Sequence, residues 1–107
     1  MNTLSTHVLD AVTGTPAVGV AVTLTDASGA ALAAAQTDDD GRVKTLADAL
    51  APGRYRLHFD TGSYFAANDV TAFYPEVVIA FEITDTAEHH HIPLLLSPFA
   101  YSTYRGS

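Results

Sequence analysis

The chain has 107 residues and 11.3 kDa, enough to bury roughly 65% of the unfolded chain's exposed surface around one core. At 48% hydrophobic and 16% charged, with 7 Gly and 5 Pro, the composition excludes a disordered or low-complexity chain and predicts one globular domain over residues 1–107. Twelve acidic against five basic residues leave a formal net charge of −7, which repels phosphate backbones and anionic membranes. There is no cysteine, hence no disulfide framework, thiolate metal site or cysteine nucleophile.

The opening residues Met1 to His7 carry no basic region followed by an apolar stretch of roughly 7 to 15 residues, so no secretory signal is expected and the cytoplasm is the default location. The longest apolar runs fall well short of the roughly 20 residues that span a bilayer.

In chain order, residues 4–11 alternate, with Leu4, Thr6 and Val8 on one side and Ser5, His7 and Leu9 on the other, a period of two that predicts a strand. Thr13-Gly14-Thr15-Pro16 reads as the turn into a second strand, where Val18, Val20, Val22 and Leu24 alternate with Gly19, Ala21 and Thr23. Residues 31–37 hold five alanines, which suit a helix by propensity, but turn signals at both ends favour a short strand. Asp38-Asp39-Asp40-Gly41 predicts a sharp turn from which Arg42 emerges directly.

After Pro52-Gly53, Tyr55, Leu57 and Phe59 alternate with Arg56, His58 and Asp60 as an amphipathic strand. Ser63 is the expected N-cap of a short helix over residues 64–68. Val77, Ile79, Phe81 and Ile83 mark the next strand. Residues 88–96 mark another, with His89, His91, Pro93 and Leu95 on one side and His90, Ile92, Leu94 and Leu96 on the other. Pro93 predicts a sheet edge or a bulge there, and residues 101–104 are extended. Seven or eight short strands with regular turns predict an antiparallel sandwich.

The histidines are His7, His58, His89, His90 and His91, side chains that accept, donate or ligate near neutral pH. His7 and His91 have apolar strand neighbours, whereas His58 and His90 could point either way. His89 and His91 leave one face and could clamp a divalent metal. Two ligands without a cysteine or an HExxH helix do not make a zinc site, and none is expected. No GxSxG elbow, P-loop or GxGxxG occurs, which removes the usual serine-nucleophile and nucleotide-cradle mechanisms. The aspartates at 38 to 40 read as turn chemistry.

Three segments carry a resemblance: Leu4-Ser5-Thr6-His7-Val8-Leu9-Asp10; Gly53-Arg54-Tyr55-Arg56-Leu57 continued by residues 59–65; and residues 93–99 closed by Tyr101-Ser102-Thr103-Tyr104-Arg105-Gly106-Ser107. In that order they resemble the transthyretin-like family, and within it the 5-hydroxyisourate hydrolase branch, whose signature the final Tyr-Arg-Gly-Ser is similar to. The resemblance implies an eight-stranded transthyretin-like (prealbumin-like) β-sandwich with one short helix. It also implies a homotetramer with active sites at the dimer-dimer interface, where assembly would bury an exposed strand edge and a partly apolar sheet face.

Carried over by motif, the resemblance implies catalytic roles for His7, Arg42 and His91, and substrate contacts from Tyr104, Arg105, Gly106 and Ser107. His90 stands where many hydrolases resemble one another in having tyrosine, on the face opposite His91. The implied reaction opens the ring of 5-hydroxyisourate to 2-oxo-4-hydroxy-4-carboxy-5-ureidoimidazoline, with no cofactor and no nucleic-acid or membrane partner. Two imidazoles can activate water and pass protons, and the planar arginine fork suits a urate-like ring or an oxyanion. Which histidine is base and which is acid stays open. The competing expectation is a non-catalytic transthyretin-like carrier of small hydrophobic ligands.

Overall fold

The computed structural model describes residues 2–106, and these form two packed β-sheets and one short helix. The first sheet comprises β1 (Thr3–Asp10), β2 (Thr15–Pro16), β5 (Arg42–Asp48), β8 (His89–Leu96) and β9 (Tyr101–Thr103). The second comprises β3 (Ala21–Asp26), β4 (Ala31–Gln36), β6 (Gly53–Phe59) and β7 (Val77–Ile83), in the order β4-β3-β6-β7. In the first, β2 and β5 pair with successive parts of one edge of β1, while β8 and then β9 follow on the other. The sandwich architecture matches the alternation in the sequence.

The core lies between the sheets. Leu4 and Val8 of β1 and Leu94 of β8 meet Val22, Leu24, Leu57 and Phe59 of the opposite sheet, all fully buried. Burying apolar area contributes about 25 cal/mol per Å², so the inward register of β1 and β8 is strongly set. The consequence is that Ser5, His7, His89 and His91 must all leave the outer face of the first sheet.

The structure corrects some local readings and adds a strand. β1 and β8 run parallel, Thr3 opposite His89 through Asp10 opposite Leu96, in an otherwise antiparallel sandwich; period-two alternation is the same for either direction. Residues 42–48 carry no strand signal in the sequence, yet they form β5. Leu4 pairs with Ala47 and Thr6 with Val43, so extra residues bulge from β5 and erase its alternation. The helix is α1 (Thr61–Ala67), and its N-cap is Asp60, whose carboxylate accepts from the Ser63 N–H at 3.3 Å and the Ser63 hydroxyl at 2.8 Å. Ser63 therefore sits inside the first turn rather than at the cap.

Pro93 lies in a strand flanked on both sides, not at a sheet edge. Its missing N–H falls between the Leu94–Thr103 pair and the His91–Gly106 bridge, where no ladder bond is interrupted. Its carbonyl instead accepts from the Thr103 hydroxyl at 2.7 Å. Residues 31–36 are a strand despite their alanines, because pairing with β3 and packing of Ala33 and Ala35 against the core override propensity.

Candidate active site

The register of the first sheet assembles a polar cluster from distant parts of the chain. His7 of β1 is directly opposite Arg42, the first residue of β5, and directly opposed side chains share a face about 5 Å apart at Cβ. Across the parallel pair, Ser5 stands opposite His91. The cluster is thus built from three strands.

Arg42 is delivered by the Asp38–Gly41 turn. The Asp38 carboxylate accepts from the backbone N–H groups of Asp40 at 2.9 Å and Arg42 at 3.0 Å, which closes the turn and holds the Asp38 carboxyl below its ordinary range. Gly41 has φ +73, and a Cβ there would lie 2.5 Å from the Val8 carbonyl oxygen. Only glycine lets the turn approach β1 this closely, with the Val8 N–H donating to the Gly41 carbonyl at 2.7 Å.

The C-terminal segment closes the other side. Beyond β9, the Gly106 N–H donates to the His91 carbonyl at 2.8 Å. A Cβ on Gly106 would lie 2.6 Å from His91 Cδ2, so glycine is the residue that permits backbone to lie against the imidazole. Ser5, Arg42, His89, His91, Tyr104 and Gly106 line a cleft of about 390 Å³. A neighbouring cavity of about 260 Å³ at the sandwich edge is lined by Ile79, Phe81, His90 and Ile92 among others. It lacks Ser5, Arg42 and His89 and is the more apolar of the two.

Burial and then the Arg42 guanidinium hold His7 below its ordinary value of 6.5, against a hydrogen bond with the Asp40 backbone that opposes the shift. His91 is lowered by burial, by Arg42, and by the neighbouring His7 and His89. Both imidazoles are therefore neutral at pH 7 and able to take a proton.

Of the residues singled out in the sequence, His7, Arg42, His91, Tyr104 and Gly106 gather on this face. The Arg105 guanidinium turns to Glu88 at 2.6 Å, which ties the C-terminal segment to the chain leading into β8 and leaves Arg105 outside the cleft lining. Ser107 lies outside the described residues. His90 faces inward with Ile92 and is buried, and His58 pairs with Glu76 on the second sheet. Sequence reasoning missed Ser5 and treated His89 only as half of a metal clamp. The signal for Ser5 was its place two residues before His7 on the same face; its partner was hidden in the parallel register.

The family model described as HIUase/Transthyretin matches residues 4–106. The chain belongs to this family. Within the HIUase/transthyretin family it is 50% identical to the 5-hydroxyisourate hydrolase of Salmonella typhimurium over 99% of this chain and 82% of that protein. The structure of Klebsiella pneumoniae 5-hydroxyisourate hydrolase superposes with a TM-score of 0.92 at 44% identity, covering 100% of this chain and 94% of that one. Sea bream transthyretin in complex with thyroxine superposes at 0.90 with 34% identity, covering 96% and 93%. The family fold thus spans both a hydrolase and a hormone complex, and the greater identity lies on the hydrolase side.

Proposed function

We propose that this chain is a 5-hydroxyisourate hydrolase, opening the substrate ring hydrolytically to 2-oxo-4-hydroxy-4-carboxy-5-ureidoimidazoline. The observation that carries the reading is the meeting of His7, Arg42 and His91 on one sheet face, in a chain half identical to curated hydrolases. Ring opening needs a water made nucleophilic, an oxyanion stabilised and a proton for the leaving nitrogen. His7 and His91, neutral at pH 7, supply acceptors for the water proton, and the imidazolium so formed returns it to the nitrogen as the C–N bond breaks. Arg42 supplies a fixed fork of donors for the oxyanion or the ring carbonyls, and Tyr104, Gly106 and Ser107 bound the substrate, with Arg105 securing the segment that carries them.

The reading extends to the assembly. Residues 1–107 act as one domain of a cytoplasmic homotetramer whose active sites form where two dimers meet. The half-buried outer face carrying His7, Leu9, His91 and Leu95 is the surface that such an interface would cover.

The test generates 5-hydroxyisourate in situ from urate with a urate oxidase and follows its ultraviolet absorbance against spontaneous decay. The chain accelerates the loss, His7→Ala and His91→Ala each reduce the rate by at least about a hundredfold, and deletion of residues 104–107 abolishes it. Unaccelerated decay by the assembled protein would instead support a carrier.

A further inference from the structure

The cleft contains a hydroxyl to which the proposed reaction gives no task. Ser5 is buried, with 7% of its surface exposed, and its Oγ lies 2.7 Å from His91 Nδ1 and 2.9 Å from His89 Nε2. His89 Nδ1 is in turn hydrogen-bonded to the Thr3 hydroxyl at the exposed end of the row. The rings of His89 and His91 are stacked, with centroids 6.5 Å apart.

We propose that Ser5, backed by His89, is the positioning residue of His91, holding its ring so that Nε2 is the nitrogen that serves the reaction. This rests on the hydrolase reading. A hydroxyl has one proton, so Ser5 donates to one imidazole while accepting from the other. When His91 Nδ1–H donates to Ser5 and Ser5 donates to His89, His91 Nε2 carries a lone pair and acts as base. In the reverse arrangement, with His89 Nε2–H donating to Ser5 and Ser5 donating to His91, the neutral ring holds its proton on Nε2 and is no base. The acid is the imidazolium formed from the first arrangement, whose Nδ1–H stays on Ser5 while Nε2–H is returned. Thr3, which can donate or accept, satisfies His89 Nδ1 in either sense. Gly106 packed on the Cδ2 edge and Ser5 on Nδ1 together stop the ring from flipping, and Nε2 alone remains for the cleft.

The other groups facing His91 are His7 from β1, Arg42 from β5 and Tyr104 from the C-terminal segment. None of them is hydrogen-bonded to His91 Nδ1 among the described residues, which leaves that nitrogen to Ser5.

The test compares Ser5→Ala, His89→Ala and the double variant in the assembled protein. Ser5→Ala is expected to lower kcat by about tenfold to a hundredfold through misplacement of the ring, with KM within about twofold. It also shifts the low-pH limb of the kcat/KM profile. His89→Ala has a smaller effect, and the double variant is no worse than Ser5→Ala, since both act through one hydrogen-bonded row. In the same samples, nitrogen-15 ring spectra show a single hydrogen-bonded His91 Nδ1 in the parent protein and an averaged tautomer signal in Ser5→Ala. Unchanged kcat and ring spectra in Ser5→Ala, or losses that simply add in the double variant, overturn the proposal. Were the parent protein itself inactive, the hydrolase reading would fail while the ring spectra still judged the Ser5–His91 bond.

Discussion

At the scale of single residues, the site depends on a permanent positive charge placed beside two imidazoles. Burial and Arg42 both push His7 and His91 below 6.5, so the neutral, proton-accepting form dominates at pH 7 and is lost only as pH falls through those lowered values. Activity should accordingly hold its plateau to a lower pH than a free imidazole would allow, then decline in acid. Arg42→Ala removes the charge, and histidine titration by proton NMR should show both midpoints move upward, while Arg42→Lys leaves them nearer the parent values. Arg42→Lys should still impair catalysis, because an ammonium lacks the planar fork. His7, Arg42 and His91 were legible because their motifs are local. Ser5 was not, because its meaning comes from a strand 86 positions away.

At the scale of elements, the helix is tied to the first sheet, among the described residues, by a hydrogen bond between side chains. The Tyr64 hydroxyl donates to the Asp10 carboxylate at 2.8 Å, while the same carboxylate accepts from the Val12 and Thr13 N–H groups and shapes the exit from β1. Burial, then this bond and the Asp10 charge, push Tyr64 up to about 12. Because the folded state holds the proton more tightly than the unfolded one, the associated stability is complete below the ordinary value near 10 and fades as pH rises toward 12. Tyr64→Phe should lower unfolding free energy by about 1–2 kcal/mol, measured by urea denaturation at pH 7, and should flatten the alkaline fall in stability. Strands with clean alternation were readable in advance, whereas β5 was hidden by its bulge and the helix start was misplaced because Asp60 and Ser63 are both good capping residues.

At the scale of the molecule, the outer face of the first sheet is polar at its centre and flanked by half-buried apolar side chains, with Phe73, Phe99 and Tyr104 more than 60% exposed around it. Sedimentation equilibrium should give about four times the 11.3 kDa chain mass. Diluting the assembly to monomer should abolish catalysis without unfolding the chain, as circular dichroism would confirm.

The sequence by itself determined the sandwich and its inward face, since alternation at period two and the apolar volume of residues such as Leu4, Val8 and Leu94 admit only one side to the core. It also determined the turn that presents Arg42 and, through the C-terminal motif, the family. Only the tertiary structure decided that β8 lies parallel to β1. That pairing is non-local, and strand direction leaves no mark on a hydrophobic pattern. From it follows the placement of Ser5 against His91, while two other non-local contacts, the bridge of Gly106 to His91 and the pairing of His7 with Arg42, seat the C-terminal segment on the imidazole and bring the guanidinium beside the histidines.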